Sequence, residues 1–138
     1  MNEVDIEAGL KTLLADNLSG LPSAVSWPNM KPATAVPRLE VMIAKAGREG
    51  GALEGGEAIL KSRGVLQITV VTTEDDATGA AQGYAQTIAG LYYEGRLLSI
   101  TGGQIEIRMP AQMRGGFVRP EDKRWVVPVS IQYEARKI

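Results

Sequence analysis

Residues 125–135 read WVVPVSIQYEA, and this stretch decides the fold class because apolar and polar side chains alternate along it. Every second residue is apolar or small: Trp125, Val127, Val129, Ile131, Tyr133 and Ala135. A period of two is typical of a β-strand with one face buried, so we predict a strand here. Pro128 interrupts the run without a backbone N–H, which predicts a sheet edge or a β-bulge at this position.

Two more strands are predicted immediately upstream, at residues 97–100 and 104–109. They flank Gly102-Gly103, and a glycine pair between alternating runs predicts a tight hairpin with both glycines at positive φ. Residues 110–123 contain Gly115-Gly116 and the charged run RPEDKR, so we expect an irregular polar loop before the final strand.

A longer hairpin is predicted nearer the N-terminus. Residues 39–44 and 59–73 both show strand patterns, and between them lies AGREGGALEGGEA, residues 46–58. This segment has two Gly-Gly pairs and little apolar surface to bury, so we expect a loop. The tip of the hairpin should then project beyond the body of the protein.

Two helices complete the pattern. The first carries an apolar stripe at three- and four-residue spacing, formed by Ile6, Leu10, Leu13 and Leu14. The second shows the same spacing between residues 77 and 92, with Gly95 as its expected C-cap. The predicted fold is therefore α+β, in the order α-β-β-α-β-β-β. It has a mainly antiparallel sheet of about five strands, with both helices on one face and residues 1–138 in a single domain.

Composition excludes several functions. Among 138 residues there is no histidine and no cysteine, which removes His-based triads, thiolate nucleophiles and the usual zinc sites. We therefore expect no catalytic residue, cofactor or metal. The net charge of −1 gives no electrostatic reason to bind DNA or an anionic membrane. The acidic N-terminal stretch does not resemble a secretory signal, and no apolar run is long enough to cross a bilayer.

The remaining candidate chemistry is weak. Glu54 with Glu57 lies in a glycine-rich loop, and residues 74–76 (Glu-Asp-Asp) precede a helix, where acidic residues favour the helix dipole. Neither group provides the rigid, desolvated carboxylate pair that a glycosidase needs. The glycine-rich loop also lacks the Gly-Lys-Ser/Thr ending of a P-loop. A small-ligand-binding domain or enzyme stays open only if the fold forms a concave pocket with convergent polar groups.

Several stretches together resemble a known family. They are LPSAVSWPNM followed by RLEVMIA, then GVLQITVVT, LYYEGRLL, the Gly-Gly hairpin and RWVVPVSIQYEA. In this order they resemble the tail terminator, or tail completion, proteins of long-tailed phages and gene transfer particles. The resemblance spans nearly the whole chain, and WPN and W-x-x-P-V-S-I-x-Y are its most telling pieces. It is architectural, so no catalytic residue is carried over.

The resemblance implies a structural virion protein at the head-tail junction, made in the cytoplasm of the bacterial host. It implies a ring, usually of six subunits, that caps the tail tube, stops tube polymerisation and presents a surface to the head-completion or connector protein. Its partners would be other copies of itself, the tail tube protein and that head-side protein. DNA would pass through the lumen without sequence-specific binding, and no membrane is involved. Another neck, connector or tail tube component remains the alternative.

A closed ring needs heterologous contacts between subunits, and the two glycine-rich loops are the predicted contact surfaces. Phe117 is the only phenylalanine and lies in a charged loop, so it is expected to be an exposed contact residue. The predicted interface residues are Arg48, Glu49, Leu53, Glu54, Glu57, Arg114, Phe117, Arg119, Glu121 and Asp122.

Overall fold

The computed structural model describes residues 1–28, 30–50, 59–73 and 79–138, with the backbone alone for residues 48–50 and 59–60. The two helices are α1 (Glu3–Ala15) and α2 (Ala80–Leu91). The strands are β1 (Ala24–Ser26), β2 (Arg38–Gly50), β3 (Ile59–Thr72), β4 (Leu97–Ile100), β5 (Gly103–Ile107), β6 (Gln112–Met113), β7 (Phe117–Arg119) and β8 (Arg124–Lys137).

One mixed sheet contains all eight of these strands, in the order β1-β2-β3-β8-β5-β4, with β6 and β7 also paired to β8. The five predicted strands are present. The prediction of about five strands in a mainly antiparallel sheet nevertheless gave too few strands. It missed β1, which pairs with β2 in parallel, and it missed β6 and β7 inside the expected loop 110–123. It also placed residues 46–50 in a loop, whereas they continue β2.

Pro128 lies in a strand with neighbours on both sides, so the predicted sheet edge was wrong. The predicted bulge corresponds to the break between β6 and β7, where residues 114–116 face Val127 and Pro128. β8 pairs with β3 from Lys61↔Arg136 to Thr72↔Trp125 without a shift in register. The carbonyl of Pro128 accepts a hydrogen bond from the N–H of Arg114. In an antiparallel ladder the N and O of one residue point to the same side, so the missing N–H faces the break between β7 and β6. The proline therefore removes no bond from the β3 ladder.

The two helices cover one face of the sheet, which we call the covered face. The predicted stripe of α1 is buried there, together with Ala81, Ala85 and Ile88 of α2. They pack in one apolar cluster with alternate strand residues, among them Leu39, Ile68 and Ile131. The hydroxyl of Tyr92 donates to the carbonyl of Leu10 at 2.7 Å and joins the two helical regions. Asn2 caps α1, since its side chain accepts from the N–H of Asp5.

The long hairpin is confirmed as β2 paired antiparallel with β3, while its tip lies outside the described residues. A register shift between Lys45 and Gly47 places a bulge in β2. Gly64, which pairs with Tyr133 on β8, lies directly beneath that ring: a Cβ there would be 2.6 Å from the tyrosine oxygen. Only glycine permits this close approach of the ring to the β3 backbone.

Two glycine predictions were wrong in detail. In the β4–β5 hairpin the turn residues are Thr101 and Gly102, and only Gly102 has positive φ (75°). Gly103 already pairs with Ile100, and a Cβ there would be 2.6 Å from the carbonyl oxygen of Arg136. The C-cap of α2 is Tyr92, whereas Gly95 (φ 85°) forms the following turn and donates its N–H to Ile107.

Candidate assembly surfaces

The face of the sheet opposite the helices, which we call the open face, carries an ion-pair network at one end. Arg119 of β7 contacts Glu40 of β2 through Nη1 and Oε1 at 2.7 Å. Strands β8 and β3 separate β7 from β2, so the sheet must curl toward this face for the two side chains to meet. Asp122 lies 2.6 Å from Nη2 of Arg119 and 3.4 Å from Arg38. Arg38 also contacts Glu40 at 3.1 Å and is itself buried.

The network holds its carboxylates in the charged form. The hydrogen bond from Arg119 lowers the pKa of Glu40 against the opposing effect of burial, with further lowering from Arg38. The hydrogen bond from Arg119 likewise lowers the pKa of Asp122 to about 2. A carboxyl that acts as a general acid needs a raised pKa, so these two groups are suited to structure and not to proton transfer.

Two of the predicted interface residues, Arg119 and Asp122, therefore bind within their own chain. Arg114, Phe117 and Glu121 are exposed, and Phe117 shows 44% of its surface to solvent, as predicted for a contact residue. The first predicted loop cannot be placed in the same way. The structure gives only the backbone of Arg48 and Glu49 on β2, and Leu53, Glu54 and Glu57 lie outside the described residues.

A second ion cluster ties α1 to the base of the long hairpin. Lys45, just before the bulge of β2, lies 3.6 Å from Glu3 and 3.5 Å from Glu7. Tyr133 is buried nearby, and its hydroxyl has no hydrogen-bond partner among the residues that the structure describes. Burial raises its pKa to about 12, with additional effects from Glu3 and Glu7. The cluster fixes the base of the hairpin against the helix.

A third cluster lies at the other end of the open face, around the buried carboxylate of Glu134. Arg136 donates to this carboxylate, and Lys61 lies 3.8 Å from it. Arg63 is its partner across the β3–β8 ladder. Burial would raise the pKa of Glu134, but the hydrogen bond from Arg136 and the surrounding basic charges lower it overall. Four basic residues surround Glu134 and the neighbouring Glu106, and we call them the basic cluster: Lys61, Arg63, Arg108 and Arg136.

A depression of about 800 Å³ lies beside β2 and the segment that follows β1. Its charged side chains are Glu7, Lys45, Glu40 and Arg119, and each already takes part in one of the ion pairs above. Among the described residues, no group of three or more Asp and Glu side chains could hold a metal ion. Within the same residues, no helix is both long and apolar enough to span a bilayer.

Comparison with known proteins decides the family. The model of the phage tail terminator protein family matches residues 5–133. The chain belongs to this family. A search of curated proteins gives no match. The terminator family consists of structural phage tail proteins and is not an enzyme family, so the chain is a structural virion component.

Two solved structures share the fold over nearly the whole chain. One solved chain without a descriptive name superposes with a TM-score of 0.79 at 21% identity, covering 100% of this chain and 98% of the other. A chain titled as part of the virion of a native gene transfer agent particle gives a TM-score of 0.54 at 11% identity, with 97% and 95% covered. At these identities the likeness concerns the fold alone.

The sequence reasoning missed the basic cluster and the partners of Arg119. The alternation of β3 and β8 places Lys61, Arg63 and Arg136 on the face opposite the main apolar cluster, so the sequence carried a signal for part of the basic cluster. No signal in the sequence indicated the contact between Arg119 and Glu40, because 79 positions separate the two residues.

Proposed function

We propose that this chain caps the phage tail tube as an oligomeric ring, most simply a hexamer, which stops tube polymerisation and presents the surface that joins the head. The family match over residues 5–133 carries the proposal. The fold likeness to a chain of a gene transfer agent virion supports a place in a tailed particle. Its partners would be further copies of itself, the tail tube protein and a head-completion or connector protein at the head-tail junction.

The distribution of charge supports a ring around a DNA conduit. The chain has a net charge of −1, and the described ion clusters pair most of their charges internally. Such a surface binds duplex DNA weakly, since counterion release by excess Lys and Arg drives that affinity. DNA would then pass through the lumen without sequence-specific contacts.

Tube growth tests the proposal directly. Purified tail tube protein is allowed to polymerise with and without this protein, and tube length is measured by electron microscopy. The expected result is shorter tubes, each with a ring at one end, which is about one ring per tube. Unchanged tube length with no ring at any end would contradict the proposal.

Micrographs of this protein alone decide between this role and the alternative of a connector or tube component, which the virion likeness also fits. A tube protein alone should form open-ended tubes, whereas a terminator alone should form at most a ring. Tubes built from this chain alone would favour the alternative.

The predicted loop interface has its own test. The charge reversals Arg48→Glu and Glu54→Lys should leave thermal unfolding unchanged and impair ring assembly on tubes. Lys31→Glu is the matched control, since Lys31 is exposed and outside both loops. Assembly of both reversed variants at the wild-type level would remove the loop from the interface.

A further inference from the structure

The two sides of the chain carry opposite charge. On the open face, the basic cluster places four basic side chains around two carboxylates. Arg136 and Arg108 keep about half of their side-chain surface exposed, 58% and 46%, so this positive charge is available to a partner. Within the described residues, both helices pack on the covered face and neither lies over the basic cluster.

The helix side is acidic. Helix α1 and its C-cap contain Glu3, Asp5, Glu7 and Asp16 with a single basic residue, Lys11. Glu3 and Glu7 are engaged with Lys45, whereas Asp5 and Asp16 line a groove of about 650 Å³ between α1 and β4. None of the described residues lining this groove is basic. Its rim includes Leu97, which is 57% exposed.

We infer that the basic cluster on the open face of one copy docks on the acidic groove between α1 and β4 of the next copy. The inference rests on the proposed ring and names the contact that would build it. The two patches are different surfaces that adjoin at Leu97 of β4, which lines both the groove and the depression beside Glu106, Glu134 and Arg136. A contact in which the basic cluster of each copy meets the groove of the next copy is heterologous and runs head to tail. Such contacts close into a ring when the rotation between copies allows it.

A second copy suits this surface better than nucleic acid. The basic cluster is interrupted by Glu106 and Glu134, and the whole chain is slightly acidic. The continuous negative charge of a phosphate backbone would be repelled by those carboxylates. The groove carries only two separate aspartates, which can approach the arginines of the basic cluster without meeting its carboxylates. Complementary patches of this kind favour correct pairing and suppress wrong orientations.

Charge reversal on each side, alone and in mixture, tests the inference. Variant A is Arg63→Glu with Arg108→Glu, and variant B is Asp5→Lys with Asp16→Lys. Ring formation, alone and on purified tail tubes, is measured by native mass spectrometry and electron microscopy. Lys31→Glu is the control. Each reversed variant should need about a tenfold or higher concentration than wild type to form rings.

The mixture gives the sharper result. Variant A has two acidic patches and variant B has two basic patches, so each patch of A matches a patch of B. An equimolar mixture should restore rings with alternating subunits, which can close only with an even number of copies. Circular dichroism and thermal unfolding check that both variants fold. If variant A does not, Arg63→Gln with Arg108→Gln replaces it and should also raise the concentration needed for rings.

Each contrary outcome has a distinct meaning. This inference is overturned if both variants form rings as readily as wild type. It is also overturned if the variants fold but their mixture does not form rings. Either result leaves the proposed ring intact. Loss of duplex DNA binding in variant A with ring formation unchanged also overturns it, because the cluster would then face DNA. Absence of wild-type rings both alone and on tubes overturns the inference together with the proposed function.

Discussion

The covered face and the open face of the sheet are built from the same strands but held by different interactions. On β8, Ile131 points into the apolar cluster under the helices and is fully buried, whereas its neighbour Gln132 lies exposed on the open face. The main apolar cluster lies on the covered face. The open face carries ion pairs that bridge strands, together with a few buried apolar side chains such as Val71 and Val126. One face therefore supplies most of the stability and leaves the other free to contact partners.

A cavity in the covered face should cause the largest loss of stability. Ile131→Ala should lower the free energy of unfolding by about 2–5 kcal/mol, since it removes fully buried methyl and methylene groups. Gln132→Ala, on the adjacent residue of the open face, should change it by less than about 0.5 kcal/mol. Chemical denaturation of both variants measures the difference. Equal losses would mean that both faces are packed alike.

Two buried tyrosines test how much a hydrogen bond contributes to the stability of the covered face. Tyr92→Phe should cost about 1 kcal/mol, because it removes a buried hydrogen bond to the Leu10 carbonyl. Tyr133→Phe should be neutral or stabilising, because its buried hydroxyl makes no hydrogen bond within the described part of the chain. The two substitutions are chemically identical, so each is the control for the other. A larger loss at Tyr133 would contradict the contacts described here.

The ion network of the open face should contribute less. A double-mutant cycle with Arg119→Gln and Glu40→Gln should give a coupling energy of about 0.5–1 kcal/mol, as both side chains are partly exposed. The coupling should shrink when salt is raised, since screening weakens exposed pairs. A coupling unchanged in 1 M salt would show that the network is not electrostatic in origin.

The smallest expected effects concern the pH dependence of stability, which differs between the two faces. Folding lowers the pKa of Glu40 and Asp122 on the open face, so the stability they contribute is present above about pH 4 and lost as the pH falls toward 2. Folding raises the pKa of Tyr133 from 10.0 to about 12, so stability is lost as the pH rises through that range. Melting temperatures should show Arg119→Gln flattening the acid side and Tyr133→Phe flattening the alkaline side. If a variant leaves the pH dependence of the melting temperature unchanged, the substituted residue does not contribute to that dependence.

The sequence predicted the elements whose pattern repeats. The stripe of α1 and the alternation of β8 are visible because burial of one face imposes a period on many residues. Strands β1, β6 and β7 have only two or three residues each, too few to show any period. The sheet edge predicted at Pro128 was wrong because proline is excluded only from the side of a strand where a hydrogen bond is made, and a sequence does not show which side that is.

The assembly surfaces were less predictable than the fold. Exposure of Phe117 follows from its polar neighbours and was foreseen. The contact of Arg38 with Asp122 depends on the curl of the sheet and joins residues 84 positions apart, so no local spacing indicates it. Charge clusters of this kind require the strand order, which comes from long-range pairing.

The position of β8 within the sheet also affects how this chain is made in the cell. β8 pairs with β3, β5, β6 and β7, all of which precede it in the sequence. During synthesis the hairpin of β2 and β3 must therefore wait with one edge unpaired until β8 has left the ribosome. Such an edge can recruit strands from other nascent chains. Truncated chains that lack β8 should consequently be prone to aggregation and cleared by the host's proteases.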